Sequence, residues 1–399
     1  MIIGFDGSRA FHSERTGTEN YSYQLLKSLA KIDHKNEYIV YIRDKRYEIR
    51  DKWPKNFKFK VIKWPRLWTQ VGLAKQTFQD NLDVLFIPAH TSPLVHKPGL
   101  KTVVTVHDLG AEYLPTMHQL KQRLYLKWIT HYQLKSATKL IAVSKATKDD
   151  LIKRVGIDPK KIEIIYEGYD EKLFRPVKGD SLISSLSKFD LEAGKYFLFV
   201  GTVQPRKNLE RLIKAYLMYV SRGPASSVIP ANAGIQLKTR PHDNLLDPRL
   251  RGDDKIILVI AGSKGWLSDE IYKLPKKLGI ENNVKFLGRV KDEELPVLYS
   301  GAIALTFPSL FEGFGLPILE AQACGCPVIT SNISSMPEVA GKAAIYINPY
   351  DVNDIVEGMS RITKNYELRT KLTKLGFENI KRFSWEKCAR ETLEVLTSS

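Results

Sequence analysis

The sequence predicts an α/β protein built as two doubly wound parallel sheets, and three observations carry that prediction. Short apolar runs of four to eight residues recur along the chain. Each is followed by turn residues and then a helical pattern. The series occurs twice, so the 399 residues divide into two domains, each long enough to bury its own core. Runs that are almost unbroken Val, Ile, Leu and Phe suit strands covered on both faces. Strand–helix alternation makes those strands parallel, in Rossmann-like domains.

In the first half the runs are MIIGFDG, EYIVYIR, FKVIKW, DVLFIPA, KTVVTVHD, KLIAVS and KIEIIYEG. In the second half they are YFLFVG, KIILVIAG, NVKFLG, AIALTFPS, CPVITS and AAIYINP. The boundary is expected in the loosely patterned stretch from Phe174 to Lys195. That gives a first domain over 1–177, a second over 178–380, and a closing helix over 381–399 that returns to the first. A ligand in such folds sits beyond the carboxyl ends of the strands, here expected in the cleft between domains.

One segment breaks the pattern. The helix NLERLIKAYLMYVSR should pass quickly into the strand KIILVIAG, but residues 223–254 intervene. They are rich in Pro, Asn, Gly and Asp and have neither helical nor strand period. A connection of that length is unusual inside a compact domain. VIPANAGIQ and LDPRLRGDD within it resemble translated palindromic repeat elements of bacterial genomes, which points to an in-frame insertion without catalytic role.

Composition bounds the function. Hydrophobic residues are 43% and charged residues 26%, as in soluble globular proteins. No apolar run would span a bilayer, and the start MIIGFDGSRAF lacks the basic region and cleavage site of a signal peptide. Three cysteines, Cys324, Cys326 and Cys388, make no disulfide framework, and a cytoplasmic location is expected. The net charge of +17 implies an anionic partner: nucleic acid, a lipid surface or a phosphorylated substrate. Basic clusters lie at 43–63 and 121–139. The second alternates cations with Leu124, Tyr125, Leu126, Trp128 and Ile129, which fits an anionic membrane surface as well as an ordinary amphipathic core helix. No zinc finger or RNA-binding aromatic signature accompanies the charge, and no nucleic-acid partner is expected. The eight histidines are scattered without metal-ligand spacing.

The stretch FEGFGLPILEAQACGCP, 311–327, carries two carboxylates. Glu312 stands in the loop after the strand AIALTFPS, and Glu320 near the first turn of the next helix. Pro317 fits the helix start and Gly325 its stop. Gly313 and Gly315 allow close backbone approach, and the helix start favours a phosphate. Two carboxylates could be an acid/base pair, metal ligands, or acceptors for hydroxyl groups. Beside a phosphate they would flank it and accept from a sugar and a ribose. GTVQPRKNLERL, 201–212, supplies the counterpart. Arg206 and Lys207 follow a strand and precede a helix, and two adjacent cations there suit a diphosphate.

FPSLFEGFGLPILEAQACGCPVITSNISSMPEVAG and GTVQPRKNLERLI together resemble the donor-site signature of retaining nucleotide-sugar glycosyltransferases of family four. AGSKGWLSDEI, VKFLGRVKDEELPVLYSGA, RTGTENYSYQLLKSL, VTVHDLGAEYLP, LIAVSKATKDDLI, IIYEGYDEKLFRP and FSWEKCARETLEVL are similar to its other landmarks, in order. The resemblance implies a GT-B fold, a nucleotide diphosphate sugar as co-substrate, no cofactor and no metal. It implies that Arg206 and Lys207 hold the diphosphate, Glu320 the ribose and Glu312 the transferred sugar. Phe314, Gly315 and Leu316 would offer backbone amides, and the base would lie against Arg289 and Val290. In the first domain Gly17 would approach the diphosphate, and His107, with Asp108 beside it, the sugar or acceptor. The variants in TGTENY, YEGYD and GSKGW look most like mannosyltransferases, so GDP-mannose is the expected donor and a bacterial polysaccharide, lipopolysaccharide or lipid-linked sugar the expected acceptor. Two departures stand out: TGTENY lacks a second glycine after TG, and Glu167 in YEGYD stands where other branches carry asparagine. Rival readings are a UDP-sugar donor, a non-catalytic sugar-nucleotide binder, a glycosidase using Glu312 and Glu320, and a nucleic-acid binder.

Deleting 223–254 is expected to leave sugar transfer intact; a folded but inactive deletion variant would show that the segment takes part in the site.

Overall fold

A computed structural model describes residues 1–11, 17–43, 52–64, 66–89, 91–109, 131–222 and 256–398. The expected insertion at 223–254, residues 44–51 of the first basic cluster and residues 121–130 of the second lie outside the described residues.

The chain forms two compact units. The first comprises Met1–Gly168 and Phe383–Ser399, the second Tyr169–Arg382. The division comes earlier than residue 177, and local packing gives the reason. Phe174 meets Tyr299 edge to face at 6.2 Å, and the Val177 amide donates to Ser300 Oγ at 3.0 Å. Both contacts tie 169–177 to the second unit.

The first unit holds a seven-stranded parallel sheet: β1 (Ile2–Asp6), β2 (Glu37–Ile42), β3 (Phe57–Val61), β4 (Val84–Ile87), β5 (Lys101–Val106), β6 (Lys139–Ala142) and β7 (Ile162–Ile164). Its order is β3-β2-β1-β4-β5-β6-β7. The second unit holds six parallel strands: β8 (Tyr196–Val200), β9 (Ile257–Ala261), β10 (Val284–Gly288), β11 (Ala304–Phe307), β12 (Val328–Ser331) and β13 (Ala344–Ile347), in the order β10-β9-β8-β11-β12-β13. All thirteen fall on the expected apolar runs. Strands β4, β8, β11 and β12 are buried along their whole length, as doubly covered parallel strands must be.

Both sheets reverse winding direction once, between β1 and β4 and between β8 and β11. At such a switch the connections leave the two neighbouring strands on opposite faces, which opens a crevice at their carboxyl ends. Four helices begin or pack beside these strand ends: α1 (Gly17–Ile32), α2 (Leu209–Ser221), α3 (Leu316–Ala323) and α4 (Trp385–Ser398). Helices α1 and α4 pack on each other within the first unit.

The loops at the strand ends of the second unit approach closely enough to require glycine. A Cβ on Gly262 would lie 1.9 Å from the carbonyl oxygen of Gly201, and one on Gly265 2.6 Å from that of Val203. Val203 and the loop after β9 exchange backbone bonds, with Val203 N–H donating to Ser263 O at 2.9 Å and Gly265 N–H to Val203 O at 3.0 Å. The loop that follows β8 is thereby clamped before it reaches Arg206.

Candidate active site

Arg206 and Lys207 occupy a single 3-10 turn, Pro205–Lys207, between β8 and α2. The chain enters α2 through Asn208, whose φ of 60° is left-handed, a conformation asparagine tolerates better than most residues. Its buried side-chain amide donates to the carbonyls of Pro308 at 3.1 Å and Pro349 at 2.6 Å. The Leu310 amide donates to Arg206 O at 2.8 Å. These bonds tie the turn after β8 to the loop after β11, across the switch point.

Glu312 lies on that second loop, and the structure brings it to both cations. Arg206 Nη1 donates to Oε2 at 2.7 Å and Lys207 Nζ to Oε1 at 2.5 Å. The side chains of Lys207 and Glu312 are each only 8% exposed, and that of Arg206 22%. Burial alone would raise the Glu312 carboxyl. The charges of Lys207 and Arg206 outweigh it and hold the group below the usual carboxylate range. Lys207 Nζ also sits 5.0 Å above the Phe307 ring, an electrostatically favourable contact. A carboxylate locked between two cations is a poor proton donor, which removes the chemical basis for a glycosidase acid at this position.

The Glu312 backbone is held from the other side. Its amide donates to Ser334 Oγ at 3.2 Å, and Ser334 Oγ donates back to its carbonyl at 2.7 Å. Ser335 Oγ reaches the carbonyls of Glu312 and Phe314 at 3.0 and 2.7 Å. Helix α3 then starts from Gly315, at φ 107°, with Pro317 in its first turn, and Gly325 follows its end at φ 75°. Phe314 and Gly315 are buried and Leu316 partly so. First-turn amides have no partner inside their own helix, so this start can receive an anion.

Glu320 follows one turn later and is engaged separately. Tyr299, fully buried, donates its hydroxyl to Glu320 Oε2 at 2.7 Å. Burial pushes the Glu320 carboxyl up to about 7, with the Tyr299 bond opposing and Asp292 reinforcing the shift. Arg289, exposed, and Val290, partly buried, form the turn after β10, which Gly288 begins at φ 67°. Gly288 O accepts from the Gly262 amide at 2.7 Å, so the turn is coupled to the same rim.

In the first unit His107 directly follows β5 and is buried. Its Nε2 faces the Pro88 carbonyl at 2.8 Å, its Nδ1 faces Glu167 Oε1 at 3.2 Å, and Tyr21 meets the ring edge to face at 4.6 Å. Tyr21 belongs to α1, which begins at Gly17; the space where a Gly17 Cβ would project holds no atom within 4 Å. Asp108 follows His107 and is partly exposed.

The sequence assigned no role to Tyr299, Ser334, Ser335 or Asn208, although all four lie inside or beside stretches it singled out. Nothing in a linear pattern ties a tyrosine to a glutamate 21 residues later. Among the described residues no three His, Cys, Asp or Glu side chains form a metal-binding group.

Two cations and a carboxylate meet at the switch point of a parallel sheet, beside a glycine-capped helix start, in an α/β protein. The comparisons with known proteins give the family. Residues 15–173 match the model described as Glycosyltransferase Family 4, and residues 244–378 that of Glycosyl transferases group 1. The chain is 30% identical to O-antigen chain mannosyltransferase B of Escherichia coli, over 73% of this chain and 69% of that protein. It is 28% identical to the O-antigen chain mannosyltransferase RfbU of Salmonella typhimurium, over 66% of this chain and 60% of that one. Among solved structures, the sucrose-phosphate synthase of Thermosynechococcus elongatus superposes with a TM-score of 0.73 at 19% identity, covering 100% of this chain and 98% of that one. Anabaena HepE, determined with UDP and glucose, gives 0.70 at 18% identity, covering 100% and 99%. The chain belongs to the group 1, family four glycosyltransferases and has their GT-B fold.

Glu312→Gln leaves the buried Lys207 and the partly buried Arg206 without their anion. It is expected to lower the stability of the ligand-free protein by about 3 kcal/mol and to cut transfer at least about a hundredfold, while nucleoside diphosphates still raise its melting temperature at least as much as in wild type. A variant with wild-type stability and rate would remove Glu312 from the site.

The raised Glu320 carboxyl sets a second expectation. The folded protein holds this proton more tightly than the unfolded chain, whose ordinary value is 4.5. Stability is therefore lost as pH rises from about 4.5 to about 7. Glu320→Gln removes that loss, and relative to wild type it should gain on the order of 1–3 kcal/mol between pH 5 and pH 8, after discounting for partial exposure. Melts at the two pH values decide it; a difference that does not change with pH would refute the assignment.

Proposed function

We propose that the chain transfers a hexose, mannose from GDP-mannose, to a hydroxyl of a glycan or lipid-linked acceptor in bacterial polysaccharide or lipopolysaccharide synthesis, with retention at the anomeric carbon. The observation that carries this reading is the Arg206–Lys207–Glu312 cluster at the β8/β11 switch point. The names of two similar proteins, both O-antigen chain mannosyltransferases, support the sugar and the kind of acceptor.

The chemistry follows from the charges. An arriving diphosphate takes over Arg206 and Lys207 as partners and rests against the start of α3. Glu312, relieved of part of its ion pairing, accepts hydrogen bonds from hydroxyls of the sugar, and Glu320 from those of the ribose. Arg289 and Val290 bound the base. As the bond from the anomeric carbon to the phosphate oxygen breaks, the two cations take up the developing charge. The acceptor oxygen bonds to the same face, and its proton passes to the departing phosphate oxygen. His107 and Asp108 would contact sugar or acceptor, and Gly17 the diphosphate. We infer no metal requirement, since the two cations and the helix start supply the positive field.

The site is proposed to work in the cytoplasm, with the first unit resting on an anionic membrane surface. Among the described residues no helix is long and apolar enough to cross a membrane. Trp64, Leu67, Phe78 and Val95 are exposed on the first unit, apolar side chains of the kind that enter a lipid interface. A UDP-sugar donor is the second reading, favoured by the fold shared with a protein determined with UDP-glucose.

Thermal shifts with GDP, UDP, GDP-mannose and UDP-glucose rank the donors, since stabilisation follows ligand concentration over Kd. GDP-mannose is expected to rank first, and an α-linked product from this α-donor, formed equally with a chelator present, to appear by NMR. Inversion, dependence on added metal, or stabilisation by UDP-glucose alone would each overturn that part of the proposal.

A further inference from the structure

Glu167 is a buried carboxylate to which the proposed reaction gives no part. It follows β7, and its neighbours fasten it to the end of the chain. Tyr166 packs on Phe383 at 5.6 Å. A Cβ on Gly168 would fall 2.1 Å from the amide nitrogen of Trp385, so the loop lies directly on the start of α4. Trp385 in turn meets Tyr21 at 5.8 Å, and Tyr21 O–H lies 3.2 Å from Thr105 Oγ1 on β5.

Within this frame His107 has an acceptor at each ring nitrogen. The Pro88 carbonyl can only accept, so Nε2 carries a proton. A Glu167 carboxylate can only accept, so Nδ1 carries one as well. The ring thus joins the strand ends of β4, β5 and β7, while Thr147 Oγ1 donates to His107 O at 3.3 Å from just beyond β6. We propose that Glu167 is the positioning residue for His107: it takes the Nδ1 hydrogen bond, fixes the ring against the Pro88 carbonyl, and keeps it a cation that cannot accept a proton.

This inference rests on the proposed contact between His107 and the sugar or acceptor. Its consequence is specific. His107 cannot be the general base, which agrees with the acceptor's proton leaving on the departing phosphate. The titratable groups around the pair all bear on it. Asp108, adjacent in sequence, supports the positive ring; Tyr21 from α1 and Cys388 from α4 face the pair, and burial drives both well above their ordinary values, so they stay neutral. Burial of His107 opposes its charge, but the Glu167 bond and charge and the Pro88 carbonyl prevail and raise it.

The test uses the full chain and the variants Glu167→Gln, Glu167→Asp and His107→Asn. Ring-nitrogen NMR follows the histidines from pH 5 to 10, with His107 assigned by its absence in His107→Asn. In wild type its ring should stay charged to higher pH than an ordinary histidine at 6.5, and Glu167→Gln should lower its titration by at least one pH unit, a tenfold weaker hold on the proton. The alkaline limb of the rate profile should move with it. At pH 8 kcat should fall about ten- to a hundredfold with donor KM within threefold, and Glu167→Asp should recover part of the loss. A wild-type His107 that loses its charge at or below the ordinary 6.5, a titration unmoved in Glu167→Gln, or a shifted titration with an unchanged rate would each overturn the proposal. A wild-type chain without any transfer activity would instead overturn the functional reading, and the titration would still decide the pairing.

Discussion

The second unit depends on one carboxylate between two cations. Glu312 is separated from Arg206 and Lys207 by over a hundred residues, yet its oxygens lie 2.7 and 2.5 Å from them. The surrounding contacts exist to hold that meeting. Asn208 turns the chain into α2 and grips the carbonyls of two other loops. Ser334 and Ser335 bind the Glu312 carbonyl, and the strand-end glycines let neighbouring loops close on one another. With the carboxylate absent, two positive charges would sit side by side in a largely dehydrated crevice, and repulsion would open the rim.

The sequence made the framework legible for a physical reason. Strands covered on both faces must be largely apolar, so most wrote themselves as nearly unbroken runs, and even β3 (FKFKV) and β7 (IEI), which carry exposed charges, fell on an apolar run. The start of α3 was equally plain, because Gly315, Pro317 and Gly325 each answer a backbone requirement. The partnerships were not legible. A buried ion pair between residues 105 apart leaves no periodic trace, so Arg206, Lys207 and Glu312 could be read as binding different parts of a ligand but not as binding one another. Tyr299 looked like one more apolar residue in a helix. Glu167 showed only as an unusual letter, and the histidine that explains it lies 60 residues away. The division between units escaped for a related reason: residues 169–177 have no period of their own, and only their packing on Tyr299 and Ser300 assigns them.

Both units place a carboxylate and a cation at the carboxyl ends of their strands, but to different effect. Arg206 keeps its charge at any ordinary pH, so in the second unit a fixed cation is given and the carboxylate responds, held below its usual range. In the first unit the cation is a histidine, whose charge depends on its neighbours. There the carboxylate makes the cation. Glu167 raises the hold of His107 on its second proton against the pull of burial, and the loop carrying Glu167 is braced by α4.

Such clusters are a weak way to stabilise a protein. Removing an ion pair from water costs several kcal/mol per charge, and well-packed apolar side chains of similar volume serve as well or better. If rigidity were the only demand, the neighbourhood of Phe199 and Phe307, which stack at 5.9 Å beneath Lys207, could have been extended upward by leucine or valine. Instead the apolar core stops there, and charged residues begin at the one edge of the sheet where its winding reverses. The cost of burial is met in the ligand-free protein by mutual neutralisation, and the bonds that neutralise are strong but exchangeable: oxygen for oxygen, a phosphate can replace a carboxylate on the same two cations. An apolar plug offers no such exchange. On the proposed function, the cluster is therefore a site held ready by its own counter-ion.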